Sequence, residues 1–218
     1  MEMSQDAGDW VQFGRILAQL ENSDEWFEYH TTAEGALRKA TELSPNDGSI
    51  WTTLVQYLVN TNKQEEAGDV IAEMQGHLTD EQEPLVMGMC YQMIGRGDDA
   101  EKAYLRAFKN QPQSLGVLRT LVTFYVQNRN RPMAIDYLDK MLALEDGQSG
   151  SDMNNIRWAR RSKAQMIAQS GNYQDLQRAL ALIDENKANG SLPRSELVQK
   201  ATLLGGRPDY ESRREAIS

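Results

Sequence analysis

Four alanines recur at nearly equal intervals along the chain, and their spacing constrains the fold more than any other feature. They are Ala33, Ala67, Ala100 and Ala134. Larger apolar or small residues stand four and seven positions after each alanine, in the pairs Leu37/Ala40, Ile71/Met74, Tyr104/Ala107 and Leu138/Met141. Steps of four and three place side chains on one face of an α-helix. A period of about 34 residues indicates an array of one repeated helical unit.

A second helical pattern precedes the alanine in three of these units. Its residues also recur at helical spacing, in the sets Trp51/Leu54/Leu58, Met87/Gly88/Tyr91 and Leu118/Leu121/Tyr125. Between the two patterns lie the segments NTNKQ, GRGDD and QNRNRP, and clusters of Asn, Gly and Asp are typical of turns. Each unit is therefore predicted to consist of two amphipathic helices joined by a short turn.

The unit at 81–114 resembles the tetratricopeptide repeat, whose pattern is W-x2-L-G-x2-Y followed by A-x3-F, A and P. It departs from that pattern at the front, where Pro84 stands at the Trp position and Met87 at the Leu position. The matching residues are Gly88, Tyr91, Ala100, Tyr104, Ala107 and Pro112. The resemblance implies an all-α fold, namely a right-handed α-solenoid of antiparallel helix pairs with about five repeats and a partial sixth.

The residue types of the pattern have a physical purpose in such an array. Small residues such as Gly88 and Ala100 are expected where two helices cross closely, and aromatic residues such as Tyr91 and Tyr104 are expected to fill the gaps between helices. Pro112 is expected to end the second helix of its unit, as Pro45 does earlier in the chain.

We expect residues 1–218 to form a single solenoid of this type. Its units are placed at about 8–47, 48–80, 81–114, 115–148 and 153–191, with a partial unit at 194–218 whose first helix covers Arg194–Leu204. Insertions lengthen the first unit around ENSDEWFEYH and the fifth around EDGQSGSD. The final segment, RPDYESRREAIS, starts a helix that does not close a repeat, which predicts that the chain is a fragment of a longer protein. The sequence of this segment resembles repeat arrays of large bacterial proteins, planctomycete-like ones among them.

Charge and composition exclude several classes of partner. The formal net charge is -9, whereas nucleic-acid binding requires a basic face. Residues 1–110 hold 20 acids and 8 bases, and residues 111–218 hold 12 acids and 15 bases. No apolar run reaches the roughly 18 residues of a membrane span, and the acidic start lacks the pattern of a secretory signal. Together with the single cysteine, Cys90, these features predict a cytoplasmic location without membrane insertion.

No constellation of residues points to catalysis, a metal or a cofactor. His30 and His77 have no partner at metal-ligand spacing and are expected on the surface. Cys90 lies within a predicted helix and is expected to be buried packing rather than a reactive thiol. Gly95 and Gly97 belong to a turn, because neither a preceding strand nor a following G-K-[ST] makes them a phosphate loop. The sequence therefore predicts a protein that is not an enzyme.

The resemblance also implies where a partner binds. In tetratricopeptide arrays the first helices of the units line a concave groove, and the corresponding positions of this chain include Gln56, Asn60, Val86, Met89, Met93, Arg119, Thr123 and Gln127. In the fifth unit, the segment IRWARRSK places Arg157, Arg160 and Arg161 on one side of a helix. The groove is thus expected to run from polar residues over a methionine floor to a basic end, which suits an acidic, partly apolar peptide or helix. The alternative is that the arginines are only solvated and the methionines only pack.

Two functional classes stay open on the sequence. The first is a non-catalytic module, monomeric in solution, that binds a peptide or helix of another protein in its groove. The second is a structural scaffold that packs permanently against other subunits or against another domain of its parent chain, which predicts a large apolar exposure when it is isolated.

Overall fold

The computed structural model describes residues 5–20, 32–145, 150–187 and 191–205, and α-helices make up most of these ranges. The described residues contain eleven helices: α1 Ala7–Leu20, α2 Ala33–Leu43, α3 Gly48–Asn60, α4 Gln64–Met74, α5 Glu83–Met93, α6 Gly97–Asn110, α7 Leu115–Gln127, α8 Arg131–Leu142, α9 Gly150–Ala168, α10 Tyr173–Asp184 and α11 Arg194–Gly205. The helix that the sequence predicts at Arg194–Leu204, as the first helix of the partial sixth unit, is confirmed as α11. The segments ENSDEWFEYH, which contains His30, and RPDYESRREAIS lie outside the described residues, as do residues 146–149 of EDGQSGSD.

The chain divides into two compact units, Met1–Gln111 and Pro112–Ser218. In the first unit, consecutive helices pack in pairs as α1/α2, α3/α4 and α5/α6. In the second unit, the pairs are α7/α8 and α9/α10, and α11 packs against both α9 and α10. The all-α prediction of stacked antiparallel helix pairs is confirmed. The exact boundaries of the repeats and the fragment hypothesis stay predictions.

Short turns of one common type join the two helices of the second, third and fourth pairs. Asn62, Gly95 and Arg129 have left-handed φ angles of 61°, 78° and 57°. In each turn the next amide donates to the carbonyl five positions earlier, at 2.8–2.9 Å, in the pairs Lys63–Leu58, Arg96–Tyr91 and Asn130–Tyr125. This is the Schellman arrangement, which satisfies carbonyls at a helix end and reverses the chain. The predicted turns are thus confirmed, and they have one common geometry.

The recurring alanines lie where the paired helices meet. Ala33, Ala67, Ala100 and Ala134 each have an exposed fraction of 0%. A methyl group permits close contact between helices at these positions, and the larger residues of the pattern fill the neighbouring space. Gly88, on α5, lies directly against the ring of Tyr104, on α6. The predicted packing roles of Gly88, Ala100 and Tyr104 are therefore confirmed.

Trp51 is the largest fully buried side chain of the first unit. Its indole Nε1 donates to the carbonyl of Pro45 at 2.7 Å, which ties the start of α3 to the loop that follows α2. The ring stacks on the exposed imidazole of His77, with the ring centroids 5.8 Å apart. His77 is thus a surface residue, as the sequence predicts, and it shields the indole.

Cys90 belongs to the core of the first unit. The Cys90 thiol is completely buried, as expected for a packing residue. Within the described residues, no helix combines the length and the apolar character that crossing a membrane requires.

Candidate interaction grooves

The left-handed turn residues give a common register for the first helices of the pairs. Gly171, between α9 and α10, also has a positive φ, of 81°. The positions ten, nine, six and two residues before each turn residue are therefore equivalent. They are Thr52, Thr53, Gln56 and Asn60 on α3; Leu85, Val86, Met89 and Met93 on α5; Arg119, Thr120, Thr123 and Gln127 on α7; and Arg161, Ser162, Gln165 and Gln169 on α9.

A groove of about 420 Å³ opens on the first helices of the first unit. Its lining combines polar and apolar side chains and comes chiefly from α1 and α3, namely Gly14, Arg15, Ala18, Gln19, Leu37, Thr52, Thr53, Gln56, Tyr57, Asn60 and Met93. The structure thus brings together three of the predicted residues, Gln56, Asn60 and Met93. The Gln56 amide donates to Oδ1 of Asn60 at 2.9 Å, so the two side chains present one connected polar edge.

The sequence reasoning did not find Arg15 and Gln19 in this groove. Gly14 and Gly88 are equivalent glycines, because each lies against a side chain of the second helix in its pair, Leu37 for Gly14 and Tyr104 for Gly88. Counting from Gly14 therefore places Arg15 and Gln19 at the positions of Met89 and Met93. That alignment is the sequence signal that could have identified them.

Two predicted residues of α5 do not line this groove. Val86 is half-buried against the core and lies so close to Gly48 that a Cβ there would stand 2.6 Å from a Val86 methyl. Met89 is 39% exposed and lines none of the grooves described here. Met93 both lines the groove and packs against the core.

A second groove, the α7–α9 groove, has a volume of about 580 Å³ and lies in the second unit. Its lining combines apolar, amide and cationic side chains: Val122, Thr123, Val126, Gln127, Arg129, Arg131, Trp158, Ser162, Gln165, Met166 and Gln169. The predicted residues Thr123 and Gln127 lie here. Arg131 donates from its guanidinium to the carbonyl of Met166, which joins the start of α8 to α9.

A third groove, the α9–α11 groove, has a volume of about 850 Å³. It is lined by Trp158, Arg161, Ser162, Gln165, Ala168, Gln169, Gly171, Leu176, Ser195, Val198, Gln199, Thr202 and Leu203. The predicted residue Arg161 belongs to this lining. Trp158, Ser162, Gln165 and Gln169 line both grooves of the second unit, so they form a ridge along α9 with helical spacing.

Arg119 lies at the edge of this surface rather than in either groove. Its guanidinium carbon is 4.6 Å from the centre of the Trp158 ring, a cation–π contact. Nη1 donates to Oδ1 of Asn155 at 3.0 Å. The predicted residue is therefore exposed but is held in place by α9, and it fixes the face of the Trp158 indole.

The predicted basic cluster on α9 is wrong in the case of Arg160. This side chain is only 5% exposed and donates to Glu145, to Glu185 at 3.0 Å and to Asn186 at 3.1 Å. In the register of the turns, Arg160 is equivalent to Trp51 and Leu118, both of which are core residues. A guanidinium at a core position must be paired inside the protein, so Arg160 is not available to a partner.

The other two arginines of that cluster also differ from the prediction. Arg157 is half-buried and lines neither groove of the second unit. The Arg161 guanidinium donates to Glu196 of α11 at 2.6 Å, and Glu196 is 1% exposed. Burial raises the pKa of the Glu196 carboxyl, but hydrogen bonds from Ser195 and Arg161 outweigh it and hold the pKa below its usual value. The positive charge of Arg161 is thus already paired with a buried carboxylate.

The residues that could carry covalent or metal chemistry do not gather in the grooves. Within the described ranges there is no group of three or more His, Cys, Asp or Glu side chains that could hold a metal ion. Burial raises the pKa of the Cys90 thiol to about 12, which keeps it protonated and weakly nucleophilic at neutral pH. The groove side chains are instead amides, hydroxyls, guanidinium groups and apolar groups, which can hold a chain segment by hydrogen bonds and contact.

Comparison with known proteins gives no match at the level of sequence families and clear likeness at the level of fold. No protein-family model matches the sequence, and a search of curated proteins finds no significant match. PilF from Pseudomonas aeruginosa is similar with a TM-score of 0.53 and 16% identity, over 96% of this chain and 88% of PilF. PilW, described as a widely conserved type IV pilus biogenesis factor, is similar with a TM-score of 0.52 and 17% identity, over 84% of this chain and 78% of PilW.

A tetratricopeptide repeat protein from Parabacteroides merdae is similar with a TM-score of 0.53 and 18% identity, over 98% of this chain and 77% of that protein. Nothing in these comparisons supports the planctomycete-like resemblance of the C-terminal segment. The helix pairs with their common turns, the buried alanines and this structural likeness agree, and the chain has the fold of the tetratricopeptide-repeat proteins.

Proposed function

We propose that the chain is a non-catalytic interaction module that holds a peptide or a helix of another protein in the grooves on its first helices. The observation that carries this proposal is the equivalence of the groove residues. Thr53, Gln56 and Asn60 line the groove of the first unit, and Ser162, Gln165 and Gln169 line both grooves of the second. Polar residues at equivalent positions of separate pairs give the same kind of surface within each of the two units.

The chemistry of these positions fits a protein ligand. An amide side chain both donates and accepts hydrogen bonds, so it can pair with either group of a peptide main chain. Apolar groups beside the amides, such as Tyr57 in the first unit and Trp158 in the second, supply area for side chains of the ligand. This mixture of apolar walls and a few convergent polar groups is the general composition of a binding site in a protein.

The test uses a phage-displayed library of random peptides selected against the full chain, followed by fluorescence anisotropy with the selected peptides. Gln56→Trp fills the groove of the first unit, and Gln165→Trp fills both grooves of the second. Lys102→Trp is the matched control, because the Lys102 side chain is 77% exposed on a second helix. We expect at least one groove variant to weaken each selected peptide by about ten-fold or more, whereas the control leaves binding unchanged. Failure to select any peptide, or equal loss in all three variants, contradicts the proposal.

We also propose that the module is a monomer and works in the cytoplasm. The acidic composition, with a net charge of -9, supports a monomer because like-charged molecules repel one another. Sedimentation equilibrium over a wide concentration range tests the oligomeric state, and a mass above 24.6 kDa at low concentration contradicts it. Fractionation of the source cells tests the location.

A permanent scaffold is the second candidate, and exposed apolar residues favour it. Ile16 on α1 and Leu197 and Val198 on α11 are 54%, 53% and 60% exposed. A contiguous apolar patch is typical of a surface that another protein covers, and Leu197 and Val198 are neighbours on α11. If the scaffold function is correct, Ile16→Lys and Leu197→Lys abolish association with the partner, and the two groove variants leave it intact.

A further inference from the structure

We propose that the α7–α9 groove selects an acidic segment of a partner protein. In this arrangement a carboxylate side chain of the segment pairs with Arg129 and Arg131, and a neighbouring apolar side chain lies against Val126, Trp158 and Met166. This inference rests on the proposed function, because it names the kind of peptide that the module binds and the groove that binds it.

The charge of the groove is the first argument. Arg129 and Arg131 stand on its lining, and none of the described residues that line it is acidic. Arg131 donates to the main-chain carbonyl of Met166, a neutral acceptor, so this bond orients the guanidinium without neutralising it. A guanidinium has five N–H donors in a planar fork, which leaves donors for a carboxylate in the geometry that arginine prefers.

The turn explains why the two arginines lie at the same end of the groove. Arg129 is the left-handed residue between α7 and α8, and Arg131 is the first residue of α8. The Schellman hydrogen bond from Asn130 to Tyr125, at 2.8 Å, fixes the backbone of this turn. The two cations are therefore presented by rigid backbone rather than by a long loop, which lowers the entropy that binding must overcome.

Beside the two arginines, the groove has an apolar wall that is incompletely covered. Val126 is 46% exposed although Val122, one turn earlier on the same helix, is 1% exposed. Trp158 and Met166 are half-buried on the facing helix, and the Arg119 guanidinium covers one part of the Trp158 ring. An apolar side chain of a ligand that lies against this wall removes its remaining apolar area from water.

The other two grooves lack this combination. The positive charge of Arg161 in the α9–α11 groove is paired with the buried Glu196 at 2.6 Å. The groove of the first unit has one arginine, Arg15, among its lining residues, and the acids outnumber the bases by 20 to 8 in residues 1–110. Residues 111–218 hold 15 bases and 12 acids. Charge complementarity therefore favours the α7–α9 groove for an acidic ligand.

The experiment uses short peptides with blocked ends, so that only side-chain carboxylates carry charge. One set has a leucine and two aspartates at every spacing within a glycine–serine backbone, and a matched set has asparagine in place of aspartate. Each is titrated into the full, 15N-labelled chain, and the indole signal of Trp158 and the Nε signals of the arginines are followed by NMR. At least one aspartate peptide is expected to bind about ten-fold more tightly than the matched asparagine peptide. This difference in affinity should shrink as salt is added.

Two variants test whether Arg129 supplies the positive charge that the aspartate peptides recognise. Arg129→Gln is expected to remove the preference for aspartate and to leave the fold intact, because glutamine replaces another non-glycine residue at the same left-handed position. Arg178→Gln is the matched control, since the Arg178 side chain is 71% exposed on α10 and does not line the groove. It is expected to change the binding less than two-fold, which corresponds to under about 0.4 kcal/mol.

The outcomes separate this inference from the proposed function. Equal binding of aspartate and asparagine peptides overturns the charge argument, and signals that move at Gln56 and Asn60 instead of Trp158 overturn the choice of groove. In both cases the module still binds peptides. If library-selected peptides bind and none of the aspartate peptides does, only this inference fails. If no peptide of either kind binds, both fail.

Discussion

Gly88 on α5 lies so close to the ring of Tyr104 on α6 that a Cβ built on the glycine would stand 2.5 Å from Cδ1 of the ring. The ring has no room to retreat, because Tyr104 is 2% exposed and its hydroxyl donates to Oε1 of Gln92 at 2.8 Å. The absence of a single methyl group therefore sets the distance between the two helices of the third pair.

Gly88→Ala is expected to destabilise the first unit, because the added methyl overlaps a fixed aromatic ring. The loss in the free energy of unfolding should be about 2–4 kcal/mol, since overpacking costs about 1–3 kcal/mol and can exceed that against a rigid neighbour. Gly68→Ala is the control, because Gly68 lies within α4 and nothing stands within 4 Å of its Cβ position. The free energy of unfolding of Gly68→Ala should rise by about 0.5–1 kcal/mol. Urea unfolding followed by circular dichroism measures both, and similar values for the two variants would contradict the packing argument.

The left-handed turn gives a second prediction. Gly95 has a φ of 78°, where the Cβ of an alanine would lie against the backbone. Gly95→Ala should therefore lower the free energy of unfolding by about 1–2 kcal/mol. Gly97→Ala, two residues on, should change it little, since Gly97 has open space around its Cβ position and begins α6. Thermal unfolding compares the two, and a loss in Gly97→Ala as large as in Gly95→Ala would show that conformation is not the cause.

The equivalent turn of the second unit tests the same argument in the opposite direction. Arg129 has a φ of 57°, a conformation that glycine adopts without steric cost. Arg129→Gly should therefore raise the free energy of unfolding by up to about 1 kcal/mol. The same thermal unfolding measures it, and a clear loss of stability would contradict the expectation.

The buried guanidinium of Arg160 gives a further prediction. Arg160→Ala should destabilise the second unit by about 2–4 kcal/mol, because it leaves a cavity and removes partners from Asn186 and two glutamates. Arg160→Met should destabilise the second unit less than Arg160→Ala, because the methionine side chain fills the space. Both glutamates can then turn toward water. The side chains of Glu145 and Glu185 are 38% and 55% exposed, so neither would be left as a buried charge.

The control for Arg160 lies on the same helix. Lys163 pairs with Asp139, and their side chains are 23% and 51% exposed, so neither is buried as Arg160 is; pairs open to water contribute about 0–1 kcal/mol. Lys163→Ala should therefore have a small effect in the same urea titration. An Arg160→Ala variant as stable as Lys163→Ala would mean that the buried network does not hold α9 to α10.

Acid should weaken the docking of α11 through Glu196. The folded-state pKa of this carboxyl is lowered, so its contribution to stability is fully present above the unfolded pKa of about 4.3 and is lost as the pH falls through the folded value. Glu196→Gln should therefore be less stable than the native chain at about pH 7 and equally stable at about pH 2. Asp136→Asn serves as control, because the Asp136 side chain is 52% exposed in a surface pair with Lys140. A difference between the native chain and Glu196→Gln that does not depend on pH would contradict this assignment.

Much of the fold could be predicted from the sequence because the repeat is local. Each turn, each buried alanine and the contact between Gly88 and Tyr104 involve residues within one pair of helices, so a short window of sequence contains the whole reason for them. The groove positions of α3 and α7 could be predicted in the same way, since Gln56, Asn60, Thr123 and Gln127 follow from the register of intact repeats. Their function as a binding surface stays a prediction.

The fifth pair shows where local pattern no longer suffices. The alanines of the fourth and fifth units, Ala134 and Ala179, are separated by much more than one period, and α9 is the longest described helix. Without an intact period, the sequence does not fix the register of α9 and predicts Arg160 on the surface beside Arg157 and Arg161. The turn at Gly171 shows the correct register, but a positive φ can be read only from the structure.

The sequence by itself determined that this chain is an array of helix pairs, because the period of the alanines and the turns between them admit no other regular fold. The tertiary structure alone decided which arginines are accessible. Arg160 is taken into the core by Glu145, Glu185 and Asn186, and Arg161 is paired with Glu196. All of these partners are distant in the sequence from the arginines they contact. The pairing of a charge depends on what the fold brings beside it, and that information lies in contacts between helices rather than in the pattern of any one of them.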